Sequence, residues 1–144
     1  MRRLAQGLLL AAWLSVPGTA AAEIGRIKTV VGQVSVARAG AVSPATPGFQ
    51  LLAKDVIETG KDGRTGIIFI DNSRFSVGPG SRLTLSRFEF DDATHVGQSL
   101  TTLDRGALAV VSGQIAKENK DAMRVRTPTA LLAARGTRFV VEVK

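Results

Sequence analysis

The residues best able to do chemistry are arginines. Arg124 and Arg126 stand two apart in Met123-Arg124-Val125-Arg126-Thr127. In an extended chain both guanidiniums leave by one face, while Met123, Val125 and Thr127 leave by the other. Arg138 lies on the polar side of a second alternating run, Arg138 to Val143. If the two runs pair, three guanidiniums form a patch able to grip carboxylates or phosphates; if they do not, they are a solvated outer face. Arg135-Gly136-Thr137 is the most distinctive tripeptide. It is either a loop that recognises a partner through Arg135 and Thr137, or a turn. In the turn reading Gly136 supplies an unusual backbone angle and Thr137 bonds locally, and this is the simpler of the two.

Other arrangements carry less. His95, the single histidine, follows Asp91 and Asp92, but two oxygens and one nitrogen are a thin set for zinc. No Gly-x-Ser-x-Gly nucleophile elbow surrounds Ser112, so a Ser-His-Asp hydrolase has no foundation. Glycines 60, 63 and 66 precede a β run, not the helix that a phosphate loop requires. With no cysteine, neither thiolate metal sites nor disulfides are available. The expectation is a protein that binds without catalysing, and that needs no cofactor.

The elements that must position these residues are strands. All but two of the 15 glycines fall after residue 22, at turn-like intervals between short runs of Val, Ile, Leu, Phe and Thr. Ile67 to Ile70 and Arg74 to Val77 flank Asp71-Asn72-Ser73, a hairpin in which Asn72 takes the positive φ. Gly60 ends a strand over 55–59, and Gly78-Pro79-Gly80 turns the chain again. Leu83 and Leu85 share one face, yet Phe88 and Phe90 continue with opposite parity, which predicts a bulge near Ser86-Arg87. Strands are expected over 100–103, 107–115, 123–127 and 139–143. Residues 39–48 read as an exposed loop, 116–121 as a charged turn, and 129–134 as the one short helical turn. The fold class is therefore all-β: a single domain of many short, mostly antiparallel strands, arranged as a sandwich or an irregular solenoid.

Three segments in this order resemble the FecR family. They are Gly32-Gln33-Val34-Ser35-Val36; the stretch from Leu51 through Asp55 to Gly60, Ile67 to Phe69, Asp71-Asn72-Ser73 and Val77 to Leu83; and Thr127-Pro128-Thr129-Ala130 followed by Arg135 to Val141. The resemblance departs at Lys54 and Asn72, where the family has glycine, both at turns that other residues can occupy at modest cost. It implies a periplasmic β-rich domain engaged in envelope signalling or assembly, with another envelope protein as partner. Signalling members resemble a cytoplasmic sigma-factor-binding segment and a membrane helix followed by this domain; the expectation here is the periplasmic domain without that transmission arm.

That leader is residues 1–22. Arg2 and Arg3 are followed by the uncharged run Leu8 to Val16, then Pro17-Gly18 and Ala20-Ala21-Ala22, the layout of a signal peptide cut after Ala22. Export leaves Glu23 to Lys144 as the domain, in the periplasm, touching membrane only through the leader before cleavage. Losing Arg2 and Arg3 takes the formal charge from +7 to +5, a balance that suits anionic partners. An anionic glycan or small acidic ligand on the arginine face is the second reading. Nucleic acid is not expected: export separates it from the chain, and with Trp13 in the leader and no tyrosine, the domain lacks the best stacking platforms.

Overall fold

The computed structural model describes residues 21–134 and 136–144; of the expected leader, all but Ala21 and Ala22 lies outside the described residues. The frame is one long, bent hairpin. β6 (Arg64–Phe69) and β7 (Arg74–Val77) meet across Asp71-Asn72-Ser73, with Asn72 at φ 68°. The chain then turns at Gly78-Pro79-Gly80 into β8 (Arg82–Phe90) and returns as β9 (Gly97–Val111). Both β7 and β8 pair antiparallel with β9, Phe75 opposite Val110 and Leu83 opposite Leu103.

β9 is the shared spine. Residues expected to form two strands, 100–103 and 107–115, instead run as one through Gly106 at φ 96°. Only glycine reaches that conformation without strain, and it lets the strand bend from one half of the sheet into the other. Ser81 fills the corner: its hydroxyl donates to the Gly78 carbonyl at 2.8 Å and accepts from the Ala107 N–H at 3.0 Å.

One half of the sheet holds β3 (Ala41–Pro44), β2 (Val34–Arg38), β5 (Val56–Thr59), β8, the first part of β9, β10 (Met123–Arg126) and β11 (Leu131–Ala133). The other holds β4 (Gln50–Leu51), β1 (Gly25–Val31), β6, β7, the last part of β9 and β12 (Arg138–Val143). Pairing is antiparallel throughout except between β10 and β9. The halves curl face to face around one core, in which Ile57, Leu83, Leu103 and Met123 meet Ile27, Leu51, Phe69 and Leu108. Phe69 on β6 stacks at 5.3 Å on Phe88 of β8. The domain is all-β and a sandwich made by bending a single sheet, not a solenoid.

The parity argument holds at β8, whose register against β9 shifts between Thr84 and Arg87. Three local expectations are corrected. Residues 39–48 contain β3, paired on β2 at an edge, where Pro44 needs no partner for its missing N–H. Residues 129–134 hold strand β11 and no helical turn, since six residues of good helix formers cannot nucleate a helix against an available backbone partner, β10. The run 107–115 stops as a strand at Val111, and α1 (Gln114–Glu118) takes up Ile115 and the start of the supposed charged turn. This helix lacks a side-chain cap. The Asp71 turn holds it instead, through Gln114 N–H to the Asp71 carbonyl at 2.8 Å and Ile115 N–H to its Oδ2 at 3.4 Å. β1 also carries a bulge, between Ile27 and Thr29, and beyond it Val31 is exposed.

Both departures from the family pattern fall where the backbone is left-handed, Lys54 at φ 74° and Asn72 at φ 68°. Next to Lys54, buried Asp55 takes a two-pronged grip from Arg38, at 2.8 and 2.7 Å, and the Leu52 N–H at 2.8 Å. The Asp55 carboxylate in turn raises the Arg38 pKa above its ordinary value, chiefly by hydrogen bonding.

Candidate functional site

Among the described residues, bending one sheet leaves four strand edges, and they differ in what they offer. β4 has 2 residues and β11 has 3, while β3 ends in Pro44. Short strands and proline are common ways to blunt an edge. β12 is the longest of the four, 6 residues without proline, and it pairs only with β9. Phe139, Val141 and Val143 face the core, and Arg138, Val140 and Glu142 face out, with Val140 73% exposed.

The ladder shows which backbone groups are spare. Ser112 N–H donates to the Thr137 carbonyl at 2.9 Å, so by the alternation of antiparallel pairs 139, 141 and 143 also turn their N–H and C=O toward β9. On the opposite side of β9, Gly78 N–H reaches the Ala107 carbonyl at 2.9 Å, as that phase requires. Arg138, Val140 and Glu142 therefore direct their backbone donors and acceptors away from β9, where no described strand meets them. This is an open strand edge.

A second feature lies on the outer face of the other half. Arg87 and Arg124 both stand opposite Leu100, from either side, and Arg126 stands opposite Thr102. With Gln98, Asn119, Asp121 and Leu131 they border a depression of about 290 Å³. Arg124 donates from Nε to the Asp121 carbonyl at 2.9 Å, and Arg87 meets Glu89 at 3.2 Å. The Arg126 guanidinium makes no hydrogen bond or ion pair among the described residues, its backbone being paired within the sheet. Beneath, the Ser99 hydroxyl is buried without a partner.

Arg124 and Arg126 thus share a face as the alternation required, but Arg138 does not join them. β10 and β12 never pair with each other; they lie in tandem along β9, Arg124 opposite Leu100 and Arg138 opposite Val111, on either side of the Gly106 bend. Arg87 takes the third place. Its presence follows from the β8 bulge, which moves it to the outer row, and that consequence was available from the parity change itself.

Arg135 lies outside the described residues. Among the described residues, a Cβ at Gly136 would meet only the Arg138 carbonyl at 3.8 Å, so the space around it does not demand glycine. Nor does the Thr137 hydroxyl bond to any described residue. The brace comes from Ser112, whose hydroxyl donates to the Gly136 carbonyl at 2.9 Å. Among the turn glycines, Gly80 has φ 63°, whereas Gly60 and Gly78 do not need glycine for φ. His95 stacks on Phe90, and Asp91 Oδ1 accepts from the Ala93 and Thr94 N–H groups at 2.9 and 3.2 Å. These residues build a tight turn. No group of three metal-ligating side chains occurs among the described residues, and no helix among them is long and apolar enough to cross a membrane.

Compared with known proteins, the chain matches the family model described as FecR protein over residues 55–144. No curated protein and no solved structure matches it. The matched segment spans β5 to β12 and so includes the bent hairpin, both arginine strands and the open β12 edge.

Proposed function

The chain belongs to the FecR family, and on that premise we propose that it is a non-catalytic binding module of the cell envelope, exported to the periplasm, which recruits another envelope protein for signalling or assembly. The partner adds a strand along β12. The observation that carries this reading is the unblunted six-residue edge with its spare backbone groups at 138, 140 and 142. Strand addition draws affinity from main-chain hydrogen bonds and specificity from alternate side chains, here Val140 between Arg138 and Glu142.

The geometry supplies a selective test. Proline at 140 removes an N–H that points away from β9, so Val140→Pro leaves the intramolecular ladder intact. A photocrosslinking residue at position 142, used in intact cells, is expected to form an adduct with an envelope protein that Val140→Pro abolishes, while far-UV circular dichroism stays unchanged. An adduct that survives the proline rules out strand addition at this edge.

The depression framed by Arg87, Arg124 and Arg126 favours a second reading, an anionic glycan or small acidic ligand. Charge-assisted, two-pronged hydrogen bonds from arginine suit carboxylates. Arg124→Glu with Arg126→Glu is expected to reduce retention on an acidic polysaccharide column by at least about tenfold, each reversed contact counting on the order of 1 kcal/mol. Equal retention would dispose of this reading.

A further inference from the structure

The outward groups of β12 are complementary to themselves. An antiparallel partner that places Val140 opposite its own copy sets Arg138 opposite Glu142 and Glu142 opposite Arg138. The backbone phase agrees, because 138, 140 and 142 are the residues whose N–H and C=O point to the free edge, and a hydrogen-bonded antiparallel pair requires both members to do so. On the inner side the same register sets half-buried Phe139 against Val141, an aromatic and β-branched pairing of the kind that stabilises sheets. One register thus satisfies charge, shape and hydrogen-bond phase together. A slip of one residue would turn spare backbone groups toward groups already bonded, and a slip of two would unpair the charges.

We infer that β12 pairs with β12 of a second copy about a two-fold axis at Val140, joining two six-strand half-sheets through about six backbone hydrogen bonds. The inference rests on the proposed docking role only in using the same edge, and it adds a regulation: the homodimer covers the edge, so a partner strand binds the monomer. The contact is one strand wide, which keeps the association reversible and sensitive to concentration.

Two measurements on the full chain as purified test this. In sedimentation velocity across a concentration series, the native protein is expected to dimerise. Arg138→Glu and Glu142→Arg should each weaken the dimer roughly tenfold, since each turns two symmetry-related attractions into repulsions. The double exchange, Arg138→Glu with Glu142→Arg, should restore it to within about threefold. A double exchange no better than the single ones overturns the inference.

The chain contains no cysteine, so Val140→Cys is a clean reporter. Directly opposed hydrogen-bonded residues are ~5.5 Å apart at Cα, within disulfide reach. Mild oxidation should give a covalent dimer from Val140→Cys and none from Val42→Cys, a similarly exposed position on the β3 edge. The opposite pattern, or crosslinking at neither position, overturns the inference. The two readings separate cleanly. A native protein that stays monomeric while Val140→Pro abolishes the envelope adduct sinks self-pairing and keeps docking; a restored dimer without any adduct does the reverse.

Discussion

Gly106→Ala is expected to destabilise the domain by about 3–5 kcal/mol, a large part of the 5–15 kcal/mol typical of a domain. Two costs combine. Gly106 has φ 96°, where an alanine bears backbone strain of order 1–3 kcal/mol. A Cβ at that position would also stand 2.0 Å from Ser81 Oγ and 2.5 Å from its Cα, and forcing atoms into a packed site costs a further ~1–3 kcal/mol. Ser81 cannot yield, because its hydroxyl holds Gly78 and Ala107 and its N–H donates to Thr59 Oγ1 at 2.9 Å. Urea unfolding followed by far-UV circular dichroism measures the loss. Gly136→Ala is the control and should stay within about 0.5 kcal/mol of the native protein, as an open surface position. Equal midpoints for the two variants would mean that the bend at β9 does not depend on glycine.

Asp71→Ala is the second large effect, again about 3–5 kcal/mol. Asp71 is fully buried, and its Oδ1 accepts from the Ser73 N–H at 3.0 Å and the Ser73 hydroxyl at 2.5 Å. Its Oδ2 faces the Ile115 N–H at 3.4 Å. Alanine would strand these donors away from water, at roughly 1–3 kcal/mol for each group left unpaired. The damage should spread from the hairpin turn to α1, whose first amides have no other cap. Asp71→Asn keeps an acceptor for Ser73 and should cost about half as much. Hydrogen exchange at Ser73 and Ile115 distinguishes this account from general loosening: both amides should lose protection first. Protection unchanged at Ile115 would show that the turn does not hold the helix.

These two sites illustrate which parts of the fold the sequence exposed. The hairpin around Asn72 and the β8 bulge were legible because each depends on local parity: Phe75 and Val77 in, Leu83 and Leu85 in, then Phe88 and Phe90 in one step out of phase. β9 was not, because Asp104-Arg105-Gly106 reads as a break, and only the non-local fit of Ser81 into the missing side chain makes that glycine a bend within a strand. β3 and β11 escaped for a related reason. Their Ala-, Pro- and Leu-rich residues have weak strand preference, and each is extended because a neighbouring backbone, β2 or β10, needs a partner.

The candidate sites divide in the same way. Arg124 and Arg126 were placed on a common face by alternation alone. Arg138 was misplaced, since which strands are neighbours is a property of topology, and β10 and β12 meet β9 at different ends. That residues 138–143 form an alternating strand was legible in their pattern. That its spare groups sit at 138, 140 and 142 required the hydrogen-bond phase.

The shared spine has a consequence for how this chain must acquire its structure. β9 bonds to β7, β8, β10 and β12, yet it begins only at Gly97. When the polypeptide emerges amino end first, β1 to β8 appear as two incomplete surfaces with nothing between them. Their apolar inner sides stay uncovered until residue 111 arrives and draws both together. Assembly is therefore a late, near-simultaneous closure, and the interval before it is when the nascent chain is most exposed to aggregation.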